Sequence, residues 1–457
     1  MDLKRDIYKK LLEWKQDDSG KVMQVSGARQ VGKTYILKKF AEENFKHVVY
    51  ISMAEQSGEQ FLRCMDIVNE WEPGTPREER PIHKAFELFD TEFRDAKDTI
   101  IIIDEIQESS KVFNLVRPLA REFECYVIIT GSYLGKLLSK EFFLPAGDYE
   151  ELTMETLTFA EFTEVFGKRD LYDSIDLLGQ SDPAQYMELK ECFDLYQKIG
   201  GYPSVINTYL KHKSIERCEA ELVRLMDIFT NESKRYFEDV METDTFEKLF
   251  HGIAVTLIRE KQGASDLVED LSKIVYKQES GRFTKKMINH AISWLRSSHI
   301  IGYASKSIDC DYLNIKENDR FYFLDIGIAN YFVSKAGADE ATIKGIMAEN
   351  FVYLALLRHI SKDIAGNAPW FATYGKTKGE LDFYVRSRLD YKNYGIEVKA
   401  GSNSGNTVSR LLKDGKLDFA YYLKGKTYGG QAEDGNVFTV PLYLADRITF
   451  DLGLEKK

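Results

Sequence analysis

The fold of the first part of the chain is decided by a run that reads Lys21-Val22-Met23-Gln24-Val25-Ser26-Gly27-Ala28-Arg29-Gln30-Val31-Gly32-Lys33-Thr34. Its apolar half, Lys21–Ser26, predicts a buried strand, and the residues after it, Tyr35–Glu43, predict a helix. The second half has the spacing GxxxxGK[ST] between that strand and that helix, which is the context of a phosphate-binding loop. We therefore expect its backbone N–H groups and the positive end of the helix to surround nucleotide phosphates.

Each residue of this loop has an expected part in binding ATP with Mg²⁺. Lys33 would reach the β- and γ-phosphates, and the Thr34 hydroxyl would ligate the metal. The other residues predicted to contact the nucleotide from the loop are Gly27, Ala28, Arg29, Gln30, Val31 and Gly32.

Three further apolar runs predict neighbours for the first strand: His47–Ser52, Thr99–Ile103 and Cys125–Thr130. Helix-like segments separate them, so residues 1–155 read as an α/β domain with a parallel sheet. Asp104 follows the third of these strands and would hold Mg²⁺ through its water shell, while Glu105 would polarise the attacking water. Thr130 and Ser132, where Cys125–Thr130 ends, are candidates for a polar contact with the γ-phosphate; an ordinary strand-end turn is the alternative.

Composition excludes several classes of protein. Hydrophobic residues make up 44% of the chain and charged residues 30%, as in globular proteins. No apolar stretch of about 18 residues exists, so no membrane span is predicted, and the first residues lack the apolar core of a signal peptide. The five cysteines show no CxxC spacing, which is typical of a reducing compartment. We therefore expect a cytoplasmic protein, and a net charge of −11 argues against non-specific coating of nucleic acid.

The rest of the chain divides into three predicted parts. Residues 156–240 are predominantly helical and would form a lid, and residues 241–310 would form a small winged-helix-like unit. Residues 311–457 combine a long helix, Thr342–Ile360, with strand runs at Phe321–Leu324, Trp370–Tyr374, Leu381–Val385 and Tyr394–Val398, and predict a mixed α/β domain.

A basic segment in the winged-helix-like unit suggests contact with DNA. Residues 271–306 contain seven Lys or Arg and one acid, Glu279. Thr284–Arg296 would be a recognition helix and Ile300–Ser305 a strand after it. The side chains expected to contact phosphates are Lys273, Lys277, Arg282, Lys285, Lys286 and Arg296. The alternative is that these charges pack against acidic neighbours within the protein.

Carboxylates in the last part of the chain suggest metal chemistry. Glu397 and Lys399 are two apart on a strand and share a face, and a hairpin would bring Asp382 alongside Glu397. Glu349, on the long helix, would approach the same edge. Such oxygen ligands suit Mg²⁺ or Mn²⁺, which would activate water against a phosphodiester while Lys399 stabilises developing charge. The pattern D-x(n)-ExK is loose, however, and a solvated strand face has the same spacing.

Together these motifs resemble a large prokaryotic AAA-family ATPase group whose C-terminal domain is related to PD-(D/E)XK nucleases. The resemblance is carried by Ser26–Thr34, Ile103–Gln107, Ile129–Ser132, Gly200–Pro203, Phe323–Gly327, Glu349–Val352 and Ile396–Lys399. It implies a nuclease-like fold for residues 311–457, with Asp382, Glu397 and Lys399 where the nuclease motif requires them. One position departs, since Asp148 stands where the family usually has an arginine that can complete the transition state. Hydrolysis is therefore expected to be slow or to depend on another arginine; Arg117 and Arg121 are candidates, although both are ordinary helix residues by default.

We therefore expect an ATP-binding, slowly ATP-hydrolysing protein that couples nucleotide state to a metal-dependent, nuclease-like domain acting on DNA. The first alternative is a nucleotide-operated switch that binds DNA or protein without nuclease activity. The second is a protein-remodelling ATPase with no nucleic-acid partner. A homo-oligomer is compatible with the resemblance, because AAA-type sites often form between subunits.

Overall fold

The computed structural model describes most of the chain. The described residues are 2–68, 76, 79–132, 141–143, 147–237, 244–261, 285–310, 312–313, 320–361, 370–374, 379–401 and 406–454. They form two compact units. The first contains Asp2–Thr156 together with Trp294–His299, and the second contains Leu157–Ser293 and Ile300–Lys457.

The first unit alternates strands and helices. Its strands are β1 (Val22–Ser26), β2 (His47–Ser52), β3 (Thr99–Asp104), β4 (Tyr126–Thr130) and β5 (Tyr149–Thr153). Its helices are α1 (Ile7–Asp17), α2 (Lys33–Asn44), α3 (Gln56–Ile67), α4 (Pro81–Phe89), α5 (Ser110–Phe113) and α6 (Val116–Glu122), and Ile106–Glu108 form a 3₁₀ turn.

The five strands form one sheet in the order β2-β3-β4-β1-β5. Every neighbouring pair is parallel, as a sheet built from strand–helix–strand units requires. All six residues of β3 are buried, which explains its four consecutive isoleucines. Because β1, β4 and β3 are parallel neighbours, the loops after these three strands lie at the same edge of the sheet, with the loop after β4 between the other two. The predicted parallel α/β core is confirmed, and β5 is a strand that the sequence did not predict.

The second unit begins with helices and ends with a mixed sheet. Its helices are α7 (Phe159–Val165), α8 (Arg169–Ser174), α9 (Pro183–Ile199), α10 (Pro203–His212), α11 (Ile215–Phe237), α12 (Asp244–Lys261), α13 (Lys285–Ser297, whose last residues belong to the first unit), α14 (Ile326–Lys335), α15 (Glu340–Ser361) and α16 (Thr407–Lys413). Its strands are β6 (Ile301–Ile308), β7 (Tyr312–Leu313), β8 (Arg320–Phe323), β9 (Trp370–Tyr374), β10 (Gly379–Arg386), β11 (Asn393–Lys399), β12 (Phe419–Lys424), β13 (Gly430–Gln431) and β14 (Val437–Pro441), and Leu442–Arg447 form a 3₁₀ helix.

The mixed sheet has nine strands in the order β13-β14-β12-β11-β10-β9-β6-β7, with β8 paired to β6. The strand expected after the basic helix is β6, and it runs parallel to β9 and antiparallel to β8. It is therefore part of the large sheet, whereas the sequence assigned it to a separate winged-helix-like unit. The mixed α/β character of the last part is confirmed, while the nuclease-like fold stays a prediction.

The motifs Gly200–Pro203 and Phe323–Gly327 are in contact within the second unit. The Asp325 carboxylate accepts hydrogen bonds from the backbone N–H groups of Gly201, at 2.9 Å, and of Gly327, at 2.9 Å. A Cβ on Gly200, whose φ is +75°, would lie 2.5 Å from Asp325 Oδ1. The glycines therefore permit the turn between α9 and α10 to lie directly on the start of α14. These motifs fix packing between helices.

The sequence predicted four domains, whereas the described residues form two units. Within the second unit, the α9 residue Phe193 packs against Phe351 of α15, with ring centroids 4.6 Å apart. The predicted lid therefore shares a core with the C-terminal part. The division at residues 155, 240 and 310 stays a prediction. Among the described helices, none combines the length and the apolar character that a membrane crossing needs.

Candidate functional site

The loop after β1 has the backbone geometry of a tight phosphate-binding turn. Gly27, Gln30 and Gly32 have φ angles of +143°, +64° and +98°. A Cβ at Gly27 would lie 2.2 Å from the carbonyl oxygen of Met154, so only glycine fits there. The α2 helix begins at Lys33, directly after this turn, and so presents its N-terminal N–H groups to the loop.

Lys33 lies folded onto the loop that it completes. Its Nζ donates to the carbonyl oxygens of Gly27, at 2.7 Å, and Ala28, at 2.9 Å, and the side chain is buried. A second basic residue, Arg5, was not found from the sequence. Its guanidinium donates to the carbonyl oxygens of Val31, at 2.9 Å, and Glu155, at 2.6 Å, and thereby supports the loop from the N-terminal segment.

Asp104 and Thr34 are brought together as predicted for a metal-nucleotide site. The Thr34 hydroxyl donates to Asp104 Oδ2 at 2.7 Å, and the Tyr50 hydroxyl donates to the same oxygen at 2.9 Å. Burial, with a contribution from the Asp104 charge, raises the pKa of Tyr50, so that its hydroxyl keeps its proton and remains a donor. A hydroxyl and a carboxylate are the hard oxygen donors that Mg²⁺ prefers, so this pair fits the ion.

Glu105 is held by donors from two sides. Its backbone lies in the left-handed region, with φ of +49°. Its Oε2 accepts from Gln107 Nε2 at 2.5 Å and from Ser132 Oγ at 3.2 Å. Ser132 Oγ in turn accepts from Nε of the loop residue Arg29 at 3.4 Å. The phosphate loop and Glu105 are thus joined through one serine.

The two candidates for a γ-phosphate contact are placed differently. Ser132 reaches Glu105, as just described. Thr130 is fully buried, and its hydroxyl donates to the carbonyl oxygen of Val25 at 2.8 Å, which ties β4 to β1. The sequence analysis assigns Gln107 no role beyond its place in the motif Ile103–Gln107. Its place two residues after Glu105, in the turn that follows β3, was the available signal.

Asp148 binds both arginines that were considered as catalytic candidates. Arg117 Nε lies 3.1 Å from Asp148 Oδ2, and Arg121 Nε lies 2.8 Å from Oδ1. The Arg121 guanidinium holds the pKa of Asp148 below its usual value. In this structure the two guanidinium groups therefore form an ion-pair cluster with Asp148.

The carboxylates of the second unit lie on neighbouring strands. The antiparallel register of β10 and β11 pairs Phe383 with Ile396, so Asp382 follows opposite Glu397. The register between β9 and β10 shifts between Leu381 and Tyr384, so Asp382 lies within an irregular stretch of the strand. Asp382 Oδ2 accepts from the backbone N–H of Val398 at 2.7 Å.

The other members of this predicted site each have their own partner. Glu397 Oε1 lies 2.6 Å from Lys399 Nζ. The Glu349 carboxylate accepts from the Tyr322 hydroxyl at 2.7 Å and lies 3.4 Å from Arg320 Nη1. Within the described residues, no three carboxylate, histidine or cysteine side chains come close enough to hold a metal ion. Among the described residues, Glu349, Asp382 and Glu397 therefore do not form a three-ligand site, and their part in binding Mg²⁺ or Mn²⁺ stays a prediction.

Three of the six residues predicted to contact DNA belong to the described part of the chain. Lys273, Lys277 and Arg282 lie outside the described residues. Lys285 and Lys286 are the first two residues of α13, and Arg296 is exposed near the end of that helix.

Comparison with known proteins bears on the first unit. Residues 19–163 match the family model described as "AAA domain". The match supports an AAA-type P-loop ATPase domain in this part of the chain. A Haemophilus influenzae protein described as uncharacterized is 22% identical over 466 residues, covering 95% of this chain and 96% of its own length.

Solved structures are similar at low TM-scores. The Aeropyrum pernix ORC1 protein in complex with DNA has a TM-score of 0.29 at 13% identity, covering 77% of this chain and 93% of its own. The Aeropyrum pernix ORC2 protein has 0.33 at 10% identity, covering 75% and 92%. The Thermotoga maritima RuvB branch-migration motor has 0.27 at 14% identity, covering 66% and 89%.

Proposed function

We propose that the first unit binds Mg²⁺-ATP and hydrolyses it slowly. The observation that supports this function is one connected set of groups around the phosphate loop. The Thr34 hydroxyl donates a hydrogen bond to Asp104, the last residue of β3. Arg29 donates to Ser132, which donates to Glu105, the residue after Asp104. A loop that only turned the chain would not need a hydroxyl, two carboxylates and a buried lysine at the same edge of a parallel sheet.

Each residue has a separate part in the proposed reaction. The loop N–H groups and Lys33 bind the phosphates, and Thr34 and Asp104 would hold the ion. Bound Mg²⁺ would neutralise charge on the phosphates. Glu105 would accept a proton from the attacking water, and Ser132 is positioned between the phosphate loop and that carboxylate. The ion-pair cluster of Arg117, Arg121 and Asp148 leaves no arginine of this group assigned to the transition state, which agrees with slow turnover.

The test is equilibrium binding of ATP with Mg²⁺, followed by phosphate release. Lys33→Ala removes a charge-assisted contact worth about 1.5–3 kcal/mol, so ATP should bind roughly 10- to 100-fold more weakly. Lys10→Ala, an exposed change on α1, is the matched control and should bind as the wild type does. Equal affinity of Lys33→Ala and wild type would exclude the proposed nucleotide site.

A second candidate function belongs to the second unit, where the domain would act on DNA as a nuclease. It is favoured by the position of Asp382 opposite Glu397, within an irregular stretch of the strand, and by Glu397 Oε2. That oxygen is buried and accepts no hydrogen bond from any described residue. Among the described residues these carboxylates do not form a three-ligand site.

Cleavage of labelled single- and double-stranded DNA, with Mg²⁺ or Mn²⁺ and with or without ATP, tests this candidate. Cutting by the wild type that is lost in Glu397→Gln and Lys399→Met would establish a nuclease. Binding of DNA without cutting under any of these conditions would favour the nucleotide-operated switch. Neither binding nor cutting would favour a protein partner. Sedimentation with and without ATP would decide whether the chain assembles into a homo-oligomer.

A further inference from the structure

Gln107 is a fully buried polar side chain beside the proposed catalytic base. Its exposed fraction is 0%, and it lies in the 3₁₀ turn Ile106–Glu108 that follows β3. The amide can face Glu105 in only one way, because a carboxylate accepts hydrogen bonds and only the NH₂ group can donate one. Gln107 Nε2 lies 2.5 Å from Glu105 Oε2, which fixes the orientation of the amide.

The other end of this amide has no donor. Gln107 Oε1 is buried, and it accepts no hydrogen bond from any residue in the described part of the chain. A buried acceptor without a partner costs about 1–3 kcal/mol, which is a large fraction of the stability of a domain. A methionine or leucine of similar volume would avoid this cost. A requirement in catalysis would explain why a glutamine stands here instead.

The backbone supports the same interpretation. Glu105 occupies the left-handed region with φ of +49° and ψ of +45°, where residues other than glycine are uncommon. The turn that follows brings the side chain two positions later back onto the Glu105 carboxylate. Strain of this kind is concentrated at functional sites and is maintained by surrounding contacts, here from Gln107 and Ser132.

We propose that Gln107 positions the water that attacks the γ-phosphate. Its Nε2 fixes the Glu105 carboxylate, and its Oε1 accepts one hydrogen bond from the water while Glu105 accepts the proton that is transferred. The water oxygen forms the new bond to phosphorus as the bond to the ADP oxygen breaks, and the released proton remains on Glu105 until it passes to solvent. The products are ADP and inorganic phosphate. The inference rests on the proposed ATP hydrolysis and adds a second residue that holds the nucleophile.

Gln107→Met is the informative change because it separates catalysis from stability. It removes both the donor and the buried acceptor at nearly constant volume. A residue that only filled space in the turn would leave kcat unchanged, whereas one that holds Glu105 and the water would not. The proposal expects kcat to fall roughly 10- to 100-fold, with KM for ATP within about threefold and the melting temperature no lower than that of the wild type. Glu108→Gln, in the same turn, is the control and should turn over like the wild type.

A double-variant comparison tests whether the two residues act on one water. If Gln107 acts with Glu105, then Glu105→Gln with Gln107→Met should be no slower than Glu105→Gln alone, because the second change removes a function that is already lost. Multiplied losses in the double variant, or an unchanged kcat in Gln107→Met, would overturn the inference while leaving the ATPase proposal standing. Absence of turnover in the wild type would overturn both proposals, and ATP binding would show whether the nucleotide site survives.

Discussion

The nucleotide site and the C-terminal carboxylates are both groups of polar side chains at the ends or edges of strands, but they are connected in different ways. In the first unit, hydrogen bonds run from Arg29 of the phosphate loop through Ser132 to Glu105 and Gln107. In the second unit, Glu397 pairs with Lys399 on its own strand, and Glu349 pairs with Arg320. The first arrangement is a chain of hydrogen bonds that begins in the phosphate loop, whereas in the second unit Glu397 and Glu349 are each held by a different basic residue.

This difference shows what kind of pattern a sequence can establish. A phosphate loop is contiguous, so its residues must meet once the chain makes one turn after one strand. The C-terminal pattern spans Glu349 to Lys399, and its assembly depends on register and on which partner each charge selects. Arg320, on β8, lies far from the D-x(n)-ExK pattern in sequence. It nevertheless lies 3.4 Å from Glu349 and 2.8 Å from Glu380.

The largest expected effect is on kcat for ATP, which should depend on Glu105 in the first unit but not on Glu397 in the second. Glu105→Gln removes the proposed base at constant shape, and we expect kcat for ATP to fall about 100- to 1,000-fold while ATP still binds. Glu397→Gln, the same change in the second unit, should leave ATP turnover unchanged. Phosphate release under saturating ATP measures both. A comparable loss in Glu397→Gln would mean that the two sites are catalytically coupled and that the comparison is wrong.

Arg320 provides the next effect, on stability. Its side chain is 5% exposed, it lies between Glu349 and Glu380, and its guanidinium stacks 4.0 Å from the centre of the Phe371 ring. Arg320→Ala would leave the Glu349 carboxylate buried without its cationic partner. We therefore expect the free energy of unfolding to fall by about 3 kcal/mol. Urea denaturation followed by circular dichroism measures this loss.

The matched control is a surface ion pair of the first unit. Arg117 is half exposed and pairs with Asp148, so Arg117→Ala should cost less than about 1 kcal/mol. Similar losses in the two variants would show that the buried arginine is not what holds Glu349. The double variant Arg320→Met with Glu349→Met should recover much of the loss, because it replaces the buried pair by apolar groups.

The features that the sequence predicts correctly are mostly those encoded by residues close together in the chain. The strand His47–Ser52 and the parallel sheet followed from short apolar runs between helices, and the phosphate loop followed from its glycines. The features that the sequence misses depend on pairing between strands that are far apart in the chain. β6 was expected in a separate wing and instead joins the large sheet, because its partners β8 and β9 follow it in the chain. The supports of the site, Arg5, Tyr50 and Gln107, could not be ranked above other polar residues without knowing what they contact.

Asp325 and Gly200 show a related limit. Both belong to motifs that carry the family resemblance, and such motifs invite a catalytic interpretation. The structure instead places Asp325 as a cap that accepts from Gly201, Gly327 and Ile328. Recognising a motif therefore did not reveal whether its residues take part in chemistry or in packing.

The smallest expected effect concerns His299, which ends the segment Trp294–His299 of the first unit. Burial, with the Lys33 charge as a further cause, lowers the pKa of His299 to about 4 from the usual 6.5. The unfolded chain therefore binds this proton more readily than the folded one, so the contribution to stability is complete above pH 6.5. It is lost as the pH falls from 6.5 towards 4.

Lys33→Ala should raise the pKa of His299 by less than the full shift, because burial is the larger cause and remains in place. Titration of the histidine ring signals by NMR measures the change, and Lys38→Ala, five residues further along α2, should leave the pKa of His299 unaltered. Saturating ATP should act in the same direction as Lys33→Ala in the wild type, since phosphate charge offsets the ammonium. A pKa that stays near 4 in Lys33→Ala would assign the whole shift to burial and would remove His299 from the electrostatic surroundings of the nucleotide site.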